Sequence, residues 1–395
     1  MANSGKRQKA QDSLPSASPY DPGQIVLVLQ GGGALGAYQV GVYQALHEAG
    51  MEPQWVIGTS IGAINGAIIA GNPPAQRMDK LSRFWHMVQQ QDRADFGAWW
   101  AALSHAAANY KIYAGGVDGF FKPNLRAAGD VNAAVGVEQA AFYSTDPLRD
   151  TLAALIDFDY INAENCRLTL GAVSVVSGEM SYFDSRDSRD SRDSRDGPLG
   201  VEHVMASGAL PPAFPAIRVD GKAYWDGGIY SNSPIEVVMD DIPRRNSLIF
   251  SANVWHPQGP EPQSVWQVMG RQKDIQYASR DKSHVRRQQQ IHQMRHVIRE
   301  LGKYLPAAKR EDADVRELLD FGCATVMHLV PLLAPRLALE DLTKDIDFSA
   351  AGIQARWQAG YADTRRQLEL APWQRPADTM DGVIIHEETQ YEQAI

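Results

Sequence analysis

Short apolar runs alternate with helical patterns in the first quarter of the chain. Ile25–Leu29 and Gln54–Ile57 are mostly apolar and contain several β-branched residues, which is typical of strands buried on both faces. Helical patterns follow over Leu35–Ala49 and Ala63–Ala70, and Gly50 is a suitable residue to end the first helix. The order strand–helix–strand–helix predicts an α/β fold with right-handed βαβ units and a mainly parallel sheet.

The rest of the chain continues this mixture of patterns. Strands are predicted at Arg167–Val176, Glu179–Phe183, Ile217–Val219, Lys222–Trp225, Leu248–Val254 and Thr325–Leu333. Helices are predicted at Arg77–Gln90, Asp146–Ile156, Gly200–Ser207, Gln263–Leu305 and Ala350–Leu368.

Shifts in composition divide the chain into four segments. Residues 1–23 are rich in Ser, Pro, Gln and Ala, carry no apolar export-signal core, and are expected to be a disordered leader. Residues 24–255 hold most of the predicted strands and form the main domain. Residues 256–380 are more polar and are expected to form a mostly helical accessory C-terminal region, and residues 381–395 a loose tail.

Composition and charge narrow the classes of function. The 395 residues are 44% hydrophobic and 22% charged, and no apolar stretch approaches the roughly 20 residues that a membrane-spanning helix needs. The net charge of −9 argues against a nucleic-acid partner. Cys166 and Cys323 are too few to staple the fold and indicate buried thiols in a reducing compartment. We therefore expect a cytoplasmic protein, and peripheral contact with the inner face of a membrane is left open.

A tripeptide repeat, Asp-Ser-Arg, occupies Asp184–Asp196. It contains no apolar residue and therefore has nothing to contribute to a core. The repeat is expected to be an exposed loop.

Gly58-Thr59-Ser60-Ile61-Gly62 has the form G-x-S-x-G and lies between a predicted strand and a predicted helix. A serine at such a junction needs a sharp turn with small neighbours, here Gly58 and Gly62. The turn exposes the Ser60 hydroxyl at a helix N-terminus, where developing negative charge is stabilised. Ser60 is therefore the candidate nucleophile.

Gly31-Gly32-Gly33 follows the first predicted strand directly. One interpretation is a phosphate-binding loop, but the Lys-Ser/Thr of a P-loop is absent, and the acidic residue of a dinucleotide fold is not at the end of the second strand. The favoured interpretation is an oxyanion hole made of backbone N–H groups. No cofactor is expected, and no cluster has the spacing of metal ligands.

A base for Ser60 is sought at other strand ends. Asp226 follows a predicted strand and precedes Gly227 and Gly228, which let a carboxylate sit close to another loop. A purely structural role for Asp226 in a turn is the alternative. Histidine is the other candidate base, and five histidines follow the serine motif at positions where one could be sought: His203, His256, His284, His292 and His296. None of these five lies at a strand-to-loop junction with a clear partner.

These motifs in this order resemble the patatin-like phospholipases, as does the run from Ala206-Ser207-Gly208 to Phe214-Pro215 that leads to Asp226-Gly227-Gly228. The resemblance covers about residues 24–255 and extends to bacterial members with an accessory C-terminal region. It implies a three-layer α/β/α fold and a lipid acyl hydrolase of the phospholipase A type. It also implies a Ser60–Asp226 dyad, an oxyanion loop at Gly31–Gly33, and neither histidine nor metal in catalysis.

The resemblance leaves alternatives open. Many family members carry Arg or Lys where this chain has Leu35, which is expected near the substrate entrance and favours neutral esters over phospholipid. The alternatives to a lipid acyl hydrolase are a catalytically idle scaffold that binds lipid or a partner, and an esterase for hydroxyalkanoate oligomers.

The segment His284–Leu305 has apolar residues at helical spacing and an excess of arginine. It is either a helix packed on the main domain through its apolar stripe with a solvated basic face, or an interfacial helix that docks on anionic lipid.

Overall fold

A computed structural model describes residues 23–90, 115–124, 132–186, 197–337, 340, 342–375, 378 and 380–386, except for the side chains of 279–282. Its strands are β1 (Gln24–Leu29), β2 (Trp55–Gly58), β3 (Lys122–Pro123), β4 (Tyr143–Ser144), β5 (Arg167–Ser174), β6 (Met180–Asp184), β7 (Ile217–Val219), β8 (Lys222–Asp226), β9 (Ser247–Asn253), β10 (Met327–Leu333) and β11 (Val383–Ile385).

The helices surround these strands. They are α1 (Ala37–Glu48), α2 (Ile61–Ala70), α3 (Pro74–Val88), α4 (Asp146–Leu155), α5 (Phe158–Asn162), α6 (Val201–Ser207), α7 (Glu236–Met239), α8 (Val265–Lys303), α9 (Ala307–Arg310), α10 (Ala313–Asp320) and α11 (Ala350–Leu370). A 3-10 turn over Gly33–Gly36 precedes α1. Most predicted elements in the described ranges are found within a few residues of their expected ends.

Nine of the described strands form one sheet, in the order β11-β10-β9-β1-β2-β5-β8-β7, with β6 also paired to β5. The six strands from β11 to β5 are parallel, and β6 and β8 run antiparallel to β5. The prediction of a mainly parallel sheet is confirmed.

The register of the sheet brings several chain segments together at one edge. Leu29 at the end of β1 lies opposite Gly58 of β2 and Ala252 of β9. Because carboxyl ends of parallel strands meet at one edge, the segments that follow β1, β2 and β9 converge there. The antiparallel β8 delivers Asp226 to the same edge, opposite Ala172 of β5.

Helices cover both faces of the sheet, so the fold has three layers. Leu27 and Leu29 of β1 belong to a buried cluster with residues of α1, α2 and α3. Val26 and Val28, which alternate with them, belong to a second cluster with α7 and Val285 of α8. Side chains on a strand alternate between faces, so β1 must be apolar throughout. The three-layer α/β/α architecture is confirmed.

The chain after residue 255 shares this sheet. Strand β10 pairs with β9 along its whole length, and α11 packs on α1 through hydrogen bonds from Tyr38 to Asp363 (3.0 Å) and from Trp357 to Gln44 (2.7 Å). The segment assigned to a loose tail from the sequence also contains β11, the edge strand. Val383 is fully buried there, and a strand of three residues is too short to show a period in the sequence.

The Asp-Ser-Arg repeat begins inside the core, which differs from the expectation that all of it is exposed. Asp184 is buried and pairs with Arg167 at 2.8 Å, and the Ser185 hydroxyl accepts from the Leu168 N–H at 3.0 Å. Arg186 pairs with the buried Asp241. Ion pairing buries a polar segment that has no apolar side chain. The rest of the repeat, 187–196, lies outside the described residues.

The two cysteines differ in burial. Cys166 is buried, and burial raises the pKa of its thiol to about 11, whereas Cys323 is half-buried. In the part of the chain that the structure describes, no helix is both long and apolar enough to cross a bilayer.

Candidate active site

Ser60 occupies a strained turn between β2 and α2. Its backbone has φ +57° and ψ −125°, a combination that non-glycine residues rarely adopt. The turn is also crowded, because a Cβ on Gly58 would lie 2.3 Å from the Gly62 carbonyl oxygen. A Cβ on Gly62 would lie 2.1 Å from the carbonyl oxygen of Leu29. Both flanking glycines are therefore required for this turn.

The end of α6 fixes the turn from one side. The Ser60 N–H donates to the carbonyl oxygen of Ser207 (3.1 Å) and lies 3.2 Å from its hydroxyl oxygen. That hydroxyl in turn donates to the Gly171 carbonyl at 2.6 Å. Ser207 thus ties the serine turn to β5, and it belongs to the run of small residues that the sequence analysis identified.

Asp226 ends β8 and is buried, with 2% of its surface exposed. Its Oδ1 accepts from the Gly228 N–H at 2.7 Å, and the Ser60 side chain is near enough to its carboxyl group to lower the pKa of that group. Burial raises the pKa of Asp226 to about 6, although both of these partners lower it. Gly227 is buried beside Gly171. The structure therefore brings together Ser60 and Asp226.

The glycine loop lies beside Ser60. A Cβ on Gly31 would lie 2.9 Å from the Ser60 Cβ. The Gly31 carbonyl accepts from the Trp255 indole N–H (2.7 Å) and from the Asn232 side-chain amide (3.1 Å), while the Gly31 N–H donates to the Asn232 carbonyl (3.3 Å). Gly33 has φ +55°, and a Cβ there would lie 2.1 Å from the Asp345 carbonyl oxygen. The loop is held from several sides.

Four residues that build this site were not predicted from the sequence. Asn232 joins the glycine loop to the turn after Asp226, and Trp255 holds Gly31. The Gln30 side chain accepts from the Val254 N–H (2.6 Å) and reaches the carbonyl of Tyr277 (3.4 Å). Gln30 and Trp255 stand just beyond the carboxyl ends of β1 and β9, a position that was available as a signal. Asn232 and Tyr277 carried no such signal.

The C-terminal region forms part of the wall around the site. The Tyr277 ring of α8 packs on Trp255 with ring centroids 4.9 Å apart. Burial and the charge of Asp226 raise the pKa of Tyr277 to about 12, so its phenol stays protonated near Asp226. Lys344, in the segment beside Gly33, forms a buried ion pair with Asp274 of α8 (2.6 Å). The Lys344 ammonium also lies 5.1 Å from the Trp255 ring centroid.

The candidate histidines lie in other surroundings. Among the hydrogen bonds of the described residues, none joins a histidine to Ser60 or Asp226. His203 accepts from the Gly200 N–H at 2.9 Å, and burial with nearby cations lowers the pKa of His256 to about 4. His292 and His296 contact the carbonyls of Met239 and Thr325.

Leu35 corrects an expectation from the sequence. It is 3% exposed and belongs to the main hydrophobic cluster rather than to a substrate entrance. The 3-10 turn over Gly33–Gly36 directs the first residues after the glycine loop into the core. The residue at this position therefore does not indicate whether phospholipid or neutral ester is the preferred substrate. Elsewhere among the described residues, no group of three or more His, Cys, Asp or Glu is placed to hold a metal ion.

Among solved structures, the chain is similar to two bacterial proteins. VipD from Legionella pneumophila matches with a TM-score of 0.38 and 14% identity, over 94% of this chain and 73% of that chain. ExoU of Pseudomonas aeruginosa, solved with SpcU, matches with a TM-score of 0.32 and 16% identity, over 88% and 52% of the two chains.

Sequence comparisons are more specific. The chain is 48% identical over 61 residues to patatin-like phospholipase domain-containing protein 6 of Mus musculus, which is 15% of this chain and 4% of that protein. It is 61% identical over 46 residues to lysophospholipase nte1 of Aspergillus terreus, or 12% and 3% of the two chains. The chain thus matches only a small part of these curated relatives. A family model described as patatin-like phospholipase matches residues 27–239, and another described as patatin phospholipase matches 275–380. Since the first covers more than half of the chain, the protein belongs to the patatin-like phospholipase family.

Proposed function

We propose that the protein is a serine acyl hydrolase that cleaves carboxylic esters of lipids, with Ser60 as nucleophile and Asp226 as base. The observation that carries the proposal is the strained turn at Ser60 beside the buried carboxyl group of Asp226. A carboxylate whose pKa is about 6 is ionised at neutral pH and is a stronger base than an exposed aspartate.

The reaction divides into two acyl-transfer steps, first to Ser60 and then to water. Asp226 takes the proton of the Ser60 hydroxyl as its oxygen attacks the ester carbonyl carbon, and a tetrahedral oxyanion forms. The oxyanion collapses, the alcohol leaves with the proton held by Asp226, and an acyl-serine remains. Water then attacks the acyl group and gives a proton to Asp226, and a second tetrahedral oxyanion forms. As this intermediate collapses, Asp226 passes the proton to the departing Ser60 oxygen, so the fatty acid is released and both side chains return to their starting state.

The N–H groups of Gly32 and Gly33 are the proposed oxyanion donors. The Gly31 N–H is already donated to Asn232, whereas the other two are not donated to any described loop or strand outside their own turn. In a trans peptide the carbonyl of Gly31 and the N–H of Gly32 point in opposite directions. Trp255 and Asn232 hold that carbonyl, which turns the Gly32 N–H to the other side of the loop. The N-terminus of α2 adds a favourable dipole at Ser60.

The substrate class follows from the family. Its members and the relatives above carry the names phospholipase and lysophospholipase, and we extend a lipid-ester substrate to this chain. The proposal includes no cofactor, no metal and no nucleic-acid partner. It assigns catalysis to residues 24–255, supported by 256–380, and a cytoplasmic location.

The test is a substrate panel of phospholipid, lysophospholipid, monoacylglycerol and short esters, with and without a strong chelator. Wild type is expected to hydrolyse at least one lipid ester regardless of the chelator. Ser60→Ala and Asp226→Ala are each expected to lose several orders of magnitude, and the double variant little more, because the two residues act as a unit. Near wild-type turnover by a folded Asp226→Ala variant would contradict the assignment of the base. Absence of hydrolysis across the panel would favour the idle scaffold.

A further inference from the structure

Helix α8 exposes apolar side chains and buries polar ones. Its buried residues include Asp274, Gln288, His292 and His296. Its exposed residues include Val265 at 75%, Trp266 at 67% and Leu301 at 61% of their surface. The alternative in which the apolar stripe of 284–305 packs on the main domain is therefore wrong for Met294 and Leu301, which point outward. Exposed apolar patches toward both ends of one helix require an explanation.

The first turn, Val265–Met269, is exposed on every side, and most of the exposed residues after it repeat every three to four positions and so share one side of the helix. We call this side the outer face of α8, and it comprises Val265, Val268, Met269, Gln272, Gln276, Ser283, Arg286, Arg287, Gln290, Met294, Val297 and Leu301, with Trp266 at its N-terminal border and Tyr304 and Leu305 just beyond the helix end. The buried residues Asp274, Ala278, Val285, Gln288, His292 and His296 repeat in the same way half a turn away.

The outer face is apolar at both ends and basic in the middle. Val265, Val268 and Met269 form one end, and Met294, Val297 and Leu301 lie toward the other. Between them Arg286 and Arg287 are exposed on a shallow depression of the surface, and the ion pairs of the described residues involve neither of them. By sequence, α8 carries nine basic and three acidic residues, a net charge of +6 in a chain of net charge −9.

We propose that the outer face of α8 docks on an anionic lipid bilayer surface. A helix of 39 residues is about 58 Å long and lies in the plane of such a surface. The apolar ends enter the boundary of the acyl chains, where Trp266 and Tyr304 near the two ends are favoured residues. Arg286 and Arg287 meet the phosphates of the headgroups.

A second copy of the chain fits this face less well. Pairing apolar ends with apolar ends, in either parallel or antiparallel fashion, brings the arginine pairs of the two copies together at the centre. Like charges in contact oppose such a dimer, whereas lipid phosphates neutralise them. The buried side of the same helix carries Tyr277, which packs beside the proposed catalytic pair. Docking by α8 therefore holds that site close to the lipid. The inference concerns binding and stands or falls independently of hydrolysis.

The experiment measures vesicle binding of the full chain carrying Ser60→Ala, so that no lipid is cleaved. Co-sedimentation is compared on phosphatidylcholine vesicles with and without phosphatidylglycerol, at low and high salt. Binding is expected on the anionic vesicles at low salt. R286Q/R287Q is expected to weaken it about 30-fold, at about 1 kcal/mol for each arginine. W266Q/L301Q is expected to weaken binding and to remove its residual part at high salt.

Matched controls lie on α11, which packs on α1. R365Q/R366Q removes an adjacent pair of exposed arginines, and L370Q removes a leucine that is 55% exposed. Both are expected to bind as the parent does. Equal losses in the control and test pairs would overturn the proposal, as would no binding to anionic vesicles. A concentration-dependent dimer that W266Q/L301Q dissociates without lipid would assign the face to a second copy instead. Hydrolysis of a soluble short ester by R286Q/R287Q with intact Ser60 shows separately whether the catalytic proposal holds.

Discussion

The indole N–H of Trp255 donates a 2.7 Å hydrogen bond to the carbonyl oxygen of Gly31. The bond joins the residue two positions after β9 to the loop that follows β1, across the edge of the sheet where Ser60 and Asp226 meet. Asn232 supplies a second donor to the same oxygen at 3.1 Å. Both contacts orient the peptide between Gly31 and Gly32, whose N–H is the proposed oxyanion donor.

Trp255→Phe is expected to lower kcat about 5-fold with little change in KM. The variant keeps a buried aromatic ring but loses a hydrogen bond worth about 1 kcal/mol, while Asn232 still holds the loop. Steady-state kinetics on a soluble ester measure the effect. Trp373→Phe is the control, because Trp373 is equally buried but packs on Phe250 in the core. If both variants lower kcat alike, the loss comes from stability and not from the loop.

Hydrolysis should depend on pH through Asp226. Its pKa is raised to about 6 by burial, and only the ionised form can accept the Ser60 proton. We expect kcat/KM to fall tenfold per pH unit below about pH 6 and to be flat from pH 7 to 8. A profile of kcat/KM against pH from 4.5 to 8 tests this. An acidic limb centred near pH 4 would mean that Asp226 is better solvated than its burial indicates.

Asp226→Asn should stabilise the protein at neutral pH while abolishing catalysis. The folded-state pKa of about 6 exceeds the unfolded value of about 4, so proton binding favours the folded state, and the charged carboxylate costs stability above pH 6. The cost is about 3 kcal/mol at pH 8 and vanishes below pH 4. Thermal melts at pH 8 and pH 4 should show a higher Tm for the variant only at pH 8. Asp150→Asn, on an exposed position, should change neither melt.

Leu35→Arg should destabilise the fold and leave substrate preference unchanged. The side chain is 3% exposed, so the substitution removes core packing worth about 2–5 kcal/mol and adds a buried charge. Leu35→Met, which conserves volume, should cost less than about 1.5 kcal/mol. Thermal melts of both variants measure the difference. A stable Leu35→Arg protein with an increased ratio of phospholipid to neutral-ester hydrolysis would restore the position to the substrate entrance.

The two parts of the Asp-Ser-Arg repeat should respond differently to change. Asp184→Asn weakens the buried pair with Arg167, and charge-assisted hydrogen bonds of this kind are worth about 1.5–3 kcal/mol. Deleting one repeat unit within 187–196 should lower the Tm little, since loop-closure entropy changes by only about 0.6 kcal/mol for each doubling of loop length. Melts of the two variants side by side test the contrast, and equal losses would contradict it.

Local sequence determined the elements that hold the proposed site. Gly58 and Gly62 could be singled out from the sequence because the turn at Ser60 needs small residues within five positions, so its requirements are local. The apolar run of β1 likewise announces a strand buried on both faces. The placement of Asp226 after a strand and before two glycines made it, rather than a histidine, the proposed base. Each of these features depends on residues that are close together in the sequence, so the sequence alone shows the pattern.

Only the tertiary structure decided which distant segments complete the site and which surfaces remain open. Trp255 and Tyr277 lie more than 190 residues after Ser60 in the chain and reach the site through the strand order, which no local pattern encodes. The neighbours of Leu35 in the sequence are the same whether its side chain lies at a substrate entrance or in the core. Only the packing shows that it belongs to the core. The helical period of α8 was evident from sequence, but a period does not say which face is covered. Ion pairs and buried histidines occupy the inner face, and this leaves the apolar residues outside.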